Sequence, residues 1–229
     1  MAREDVFRVR NTSWPAVGES NSEQAVINRA GSLIVTDFLT QLILGGWAYH
    51  IQAGTEDAPV ASTAAIDDEL AFMLVDQNTG YAMLPLGLQT VVANWTTATL
   101  VNTMLEADKD KKRYTSGGTL FTPANLRGDD LHSFSGVAYT VTADIVAAAK
   151  SAVPNSVELW RAGVVEDAQA TPAAGDAALG GNARYSIRKD PFIVLTDLSS
   201  FVIHHGATTA DVNSYGNFQF AQIEKTLLI

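Results

Sequence analysis

The sequence predicts an all-β chain, an antiparallel β-sandwich with an extended N-terminal arm, and three observations carry that prediction. The first is the closing stretch. Pro191–Leu195 and Phe201–His204 are short apolar runs, and after a Gly/Thr/Asp/Asn loop Asn217–Glu224 begins by alternating apolar and polar residues. Segments of this kind, joined across polar loops, suit antiparallel pairing. The second is recurrence: about eight to ten such segments, each roughly 5–10 residues long, are separated by Gly, Pro, Asn and Asp turns. The third is the lack of any βα alternation, heptad or internal repeat between them. Two sheets that each bury one face require this pattern.

Residues 1–30 have little regular pattern and read as an extended arm, with Trp14 able to anchor it; residues 31–229 form the sandwich domain. Leu33–Thr36 and Phe38–Leu44 are rich in strand-forming residues, with a helix over 32–44 as the rival, and Gly45 and Gly46 mark a bend. Trp47, Tyr49 and Ile51 then share one face of a strand, and 54–65 is loop. Leu70–Val75 is a strand closed by a turn over 76–80. Leu84–Trp95 is another, with Pro85 expected at its start because proline gives the ladder no N–H. Thr99–Glu106 alternates weakly and runs into the charged stretch Asp108–Arg113, read as a solvated hairpin end. Tyr114–Leu126 reads as a long connection and Phe134–Thr142 as a strand. Asp144–Lys150 is the one helical turn expected. Val157–Arg161 is a short strand, 166–181 is a surface excursion, and Tyr185–Arg188 leads into the closing stretch.

Composition narrows the function. Apolar residues make up 47% of the 229 and charged residues only 17%, against about 25% in a typical soluble domain. An exterior so poor in charge but rich in Thr, Ser, Asn and Gln suits interface as well as solvent. The net charge of −10 argues against wrapping nucleic acid, and Arg3, Arg8 and Arg10 are diluted by Glu4 and Asp5. There is no cysteine, hence no disulfide, thiolate nucleophile or Cys-ligated metal. The N-terminal decapeptide lacks the apolar run of a signal peptide, and Asp37, Gln41, Gly45 and Gly46 break the most apolar stretch, 33–51, so no membrane span is expected.

The search for chemistry returns little. His204 and His205 are adjacent, so on a strand they point to opposite faces and do not converge on one ion. A structural histidine beside a solvent-facing one is the expectation, with His50 and His132 far off in sequence. Asp67–Glu69 and Asp129–Asp130 could hold calcium at subunit contacts, but neither has EF-hand spacing and turn-capping explains both. No nucleophile elbow, dinucleotide fingerprint or phosphate loop is present. The four tryptophans, Trp14, Trp47, Trp95 and Trp160, read as core or interface rather than as a sugar-stacking platform. No catalytic, cofactor-binding or metal residues are assigned, and the chain is not expected to be an enzyme.

In layout the chain resembles the single jelly-roll capsid and virion-surface proteins of viruses and phages. The resemblance spans residues 30–229 and rests on the loop-rich arm, the strand entry Leu84–Leu88, the connection Gly117–Leu126, and the closing pair Pro191–Leu195 and Phe218–Glu224. It implies jelly-roll topology and a structural virion protein, located in the virion, that assembles with copies of itself and other virion proteins into a symmetric homo-oligomer or shell. Packaging coats often carry a basic arm and this chain does not, which favours a shell, spike or decoration role over genome contact. Two rivals stand beside it. A carbohydrate- or surface-binding sandwich module would show an exposed aromatic row on one sheet. A cupin-like metal enzyme would bring His204 or His205 together with His50 or His132 and a carboxylate.

Overall fold

The computed structural model describes residues 38–62, 70–95, 97–109, 112–129, 132–145, 156–166, 181–208 and 212–227. In chain order these form α1 (Phe38–Leu44), β1 (Ala48–Ala53), β2 (Val60–Ala61), β3 (Leu70–Gln77), β4 (Tyr81–Asn94) and β5 (Thr99–Asp108). Then come β6 (Tyr114–Phe121), β7 (Ala124–Asn125), β8 (Gly136–Ile145), β9 (Ser156–Glu166) and β10 (Asn182–Ser186). β11 (Leu195–Thr196), β12 (Ser199–Ala207), β13 (Asn213–Glu224) and a 3-10 turn at Lys225–Leu227 complete the chain. The protein is all-β in architecture, with two antiparallel sheets packed as a sandwich. One has seven strands, ordered β10-β4-β13-β1-β7 with β11 on β4 and β2 on β13; the other has six, ordered β6-β8-β3-β12-β5-β9.

Alternation decides which residues fill the space between the sheets. Tyr49, Ile51, Leu88, Phe218 and Phe220 from one sheet meet Phe72, Val75, Leu105, Phe201 and Ile203 from the other in a single buried cluster. Along β13 buried and less buried residues alternate from Asn213 to Phe220, and there the alternation fails. The strand itself keeps its period of two; the bulge here lies in β4, where Gln219 pairs with Gly87 but Phe220 with Pro85, so Leu86 has no opposite number. Beyond Phe220, Gln222 still points inward, toward Gln77, while Ala221 and Ile223 lie on the outer side of the sheet and are buried there against Leu84, Leu86 and Leu42 of α1.

Several expectations are corrected. Phe38–Leu44 is a helix, not a strand; the double glycine ends it, with Gly46 in the left-handed region (φ 75°) and its N–H on Ile43 O. Residues 33–37 lie outside the described residues, as do the arm 1–30, 63–69, 146–150 and 167–180. Pro85 lies inside β4, between the stretch paired to β11 and that paired to β10, where the bulge removes the need for its N–H. The loop 54–65 contains β2, and Tyr114–Leu126 contains the edge strand β6 and the short β7. Asp144 and Ile145 belong to β8 rather than a helical turn. Of Pro191–Leu195 only Leu195 is in a strand, and Phe192 and Val194 are exposed. No helix among the described residues is long and apolar enough to cross a membrane.

Candidate functional site

The chemistry-bearing side chains gather on the outer side of the six-stranded sheet. Its central strands β3, β12 and β5 send Phe201, Ile203 and Leu105 inward, so Asp76, Ser200, His204, Glu106 and Asp108 point the other way. Register places Ser200 between Asp76 on one side and Asp108 on the other. All five are buried, and so is Arg113, at 0% exposure. The charged run Asp108–Arg113 is therefore not simply a solvated hairpin end: Lys109 and Lys112 are exposed, but Asp108 and Arg113 turn under the sheet and pair.

The contacts form two linked parts. Ser200 Oγ donates to Asp76 Oδ1, and the backbone N–H groups of Arg113 and Tyr114 donate to the same carboxylate at 3.2 and 3.1 Å. The Arg113 guanidinium bonds Asp108 Oδ2 and lies 3.8 Å from Glu106 Oε1. Glu106 also accepts from Ser156 Oγ and meets His204 Nε2 at 3.1 Å, while His204 Nδ1 lies 3.2 Å from Leu70 O. Both ring nitrogens of His204 thus lie within hydrogen-bond reach of an oxygen. Asp108 Oδ1 has no hydrogen-bond partner among the described residues.

Electrostatics separates the three carboxyls. Burial acts to raise Glu106, but hydrogen bonds from His204 and Ser156 and the charges of His204 and Arg113 outweigh it and hold its pKa at about 2. Burial dominates at Asp76, whose carboxyl is pushed up despite the bonds from Ser200, Arg113 and Tyr114. It dominates at Asp108 too, pushed up despite Arg113.

The adjacent histidines point to opposite faces as expected, but neither faces solvent. His205 lies between the sheets, with Nδ1 2.9 Å from Thr103 Oγ1 and Nε2 2.8 Å from Ser214 Oγ, its ring 5.0 Å from that of Phe72. Thr103 in turn meets Thr90 across the core at 2.8 Å. Burial lowers the His205 pKa to about 4, so at neutral pH it is an uncharged member of a polar chain joining the sheets.

No family model, curated protein or solved structure matches the chain.

The remaining histidines do not join this site: His50 packs its ring edge toward Phe121, and His132 stacks on Trp47. Among the described residues no group of three ligating side chains is placed to hold a metal ion. Asp129 pairs with Arg127 at 3.0 Å. Asp130 and Asp67–Glu69 lie outside the described residues, as does Trp14. Trp47 and Trp95 are buried, and Trp160 turns its edge to Tyr185 at 6.0 Å. Ser200 and His204 are four residues apart on one strand, roughly 13 Å, too far for hydroxyl and base to act as a pair. The network ties the segment 112–114 to the sheet by charge. Sequence reasoning missed this network, because β5 also carries Thr99, Asn102 and Thr103, so Glu106 and Asp108 do not stand out in it.

Proposed function

We propose that the chain is a structural virion protein, a capsid or capsid-surface building block with jelly-roll topology that assembles into a symmetric oligomer or shell. The nested strand pairing carries the reading. A long antiparallel hairpin of eight strands, rolled over on itself, pairs first with last, second with seventh, third with sixth and fourth with fifth. With β1, β3, β4, β5, β9, β10, β12 and β13 as those eight, the sandwich contains β1·β13, β3·β12, β4·β10 and β5·β9. β6 and β8 are then an added pair beside β3.

Jelly rolls serve capsids, lectins and cupins. A cupin centre gathers its histidines, whereas here His50, His132, His204 and His205 each have separate surroundings. A lectin-like module presents aromatic rings, whereas Trp47 and Trp95 are in the interior. A net charge of −10 with few charged residues supports a shell or decoration role that does not grip the genome. Light scattering over a tenfold concentration range, with electron microscopy of the same samples, tests the reading. A discrete oligomer or closed shell is expected. A strict monomer throughout would overturn it and favour the surface-binding module.

A further inference from the structure

The two edges of the six-stranded sheet differ. At one end β6 is interrupted twice, between Tyr114 and Ser116 and between Gly117 and Thr119, with Gly117 and Gly118 left-handed (φ 69° and 67°). Such bends spoil an edge as a template for another strand. At the other end β9, among the described residues, pairs with β5 alone, and one register shift, between Leu105 and Glu106, breaks an otherwise continuous ladder. The end of β9 is approached by Gly181, whose N–H bonds Glu166. That leaves Ser156–Gly163 as the part with no further strand beside it among the described residues.

The single shift makes this segment self-complementary. Leu105 pairs with Trp160 and Glu106 with Glu158, so Leu159 is the extra residue. Glu158 and Arg161 consequently project from the same outer face and bond each other, Nε to Oε1 at 2.9 Å and Nη2 to Oε2 at 2.8 Å. Leu159 and Trp160 both pack against the inner core while staying half exposed. Now consider a two-fold axis between Leu159 and Trp160. It sets Glu158 opposite the second copy's Arg161, Leu159 opposite Trp160, Val157 opposite Ala162 and Ser156 opposite Gly163. In every pair both residues face the same side of the sheet, as directly opposed residues must. An apolar centre, two charge pairs and a small-residue rim result, an arrangement suited to an isologous contact.

We propose that β9 is the edge through which two copies of this chain associate, antiparallel, about an axis between Leu159 and Trp160. The proposal rests on the assembly reading above and names its surface. The pair Glu158–Arg161 is the handle for testing it, because each side chain is 43% exposed and contributes little to folding.

The experiment compares full-length wild type, Glu158→Arg, Arg161→Glu and an equimolar mixture of the two variants, by light scattering and analytical ultracentrifugation. Each single reversal places like charges opposite each other twice in the symmetric contact and is expected to weaken self-association about tenfold or more. The mixture restores opposite charges across the contact, though not within either chain, and is expected to recover association. Circular dichroism melts check that each variant is folded. The variant carrying both reversals restores self-complementarity and is expected to associate like wild type, which keeps the test decisive if one single variant fails to fold. If wild type associates and the reversals associate equally well, the β9 proposal is overturned while the assembly reading stands. A wild type that is monomeric at every concentration overturns both.

Discussion

His204 on β12 and Glu106 on β5 meet across the six-stranded sheet, Nε2 to Oε2 at 3.1 Å, at a depth where both side chains are almost wholly buried. The contact makes Glu106 a strong acid of the folded state, with a pKa of about 2 against 4.5 for the free side chain. A carboxyl depressed by folding adds stability that is fully present above its unfolded pKa and is lost as pH falls through the folded one. Allowing for screening, the increment is roughly 2 kcal/mol. Glu106→Gln is therefore expected to lower the urea-unfolding free energy by about that amount at pH 7. The gap to wild type should close as pH falls from 4.5 toward 2. A gap that stays constant through that window would assign the loss to packing.

Arg113 is the cation on which Asp108 depends. Its Nη1 bonds Asp108 Oδ2, and both side chains are buried. Removing one member of a buried pair strands the other, at a cost of about 3–5 kcal/mol. Arg113→Met is expected to cost about that much in urea denaturation at pH 7, and adding Asp108→Asn should recover part of it. The sign with pH is opposite to that of Glu106. Asp76 and Asp108 are raised by burial, so their favourable contribution is present at low pH and is lost as pH rises through their folded values. The Arg113→Met deficit should shrink as pH falls from neutral. An unchanged deficit would show that Asp108 stays charged without its partner.

Sequence periodicity revealed the β architecture because each sheet buries a face, and alternation records that directly. It failed where a second influence acted on the same residues. Phe38–Leu44 carries strand-like composition, yet the glycines after it end a helix that covers Leu84 and Ala221. Ala221–Ile223 lose their apolar/polar contrast because α1 covers the outer side of β13, so Ala221 and Ile223 are buried there beside Leu42, and that cover comes from a distant part of the chain. The charged site was hidden for a similar reason. Asp108–Arg113 has the composition of a solvated turn, and only the pairing of β5 beside β12 brings Asp108 into register with Ser200 and under Arg113. That relation spans many residues and leaves no local mark.

Phe201 of β12 and Phe218 of β13 join the two sheets at the centre of the core, edge to face with ring centroids 5.7 Å apart, both at 0% exposure. Phe218→Ala removes most of a ring that touches both sheets and is expected to cost about 3–5 kcal/mol. Phe218→Leu keeps much of the volume and should cost less. A double-mutant cycle with Phe201→Leu should give a coupling of about 0.5–1.5 kcal/mol, the value of an aromatic pair beyond its buried area. Strict additivity in thermal or urea unfolding would mean that the rings act only as volume.

His205 gives the sandwich an acid-sensitive joint. It is buried between Thr103 of one sheet and Ser214 of the other, and its pKa falls to about 4 from 6.5 because burial penalises the imidazolium. Below 6.5 the unfolded chain takes up a proton that the folded chain refuses until about 4. Stability is therefore complete above the unfolded value, drains away between the two, and levels off beneath the lower one. The gap between those values corresponds to roughly 3 kcal/mol. His205→Gln keeps a hydrogen-bonding side chain but cannot titrate. Asp76 and Asp108 contribute in the opposite direction, so the quantity to measure is the difference between wild type and His205→Gln in urea unfolding at half-unit steps of about pH 7.5 to 3.5. That difference should fall by roughly 3 kcal/mol on acidification, with its steepest part near pH 5. A difference flat across the range would mean that His205 protonates in place, with Ser214 and Thr103 turning their oxygens to accept.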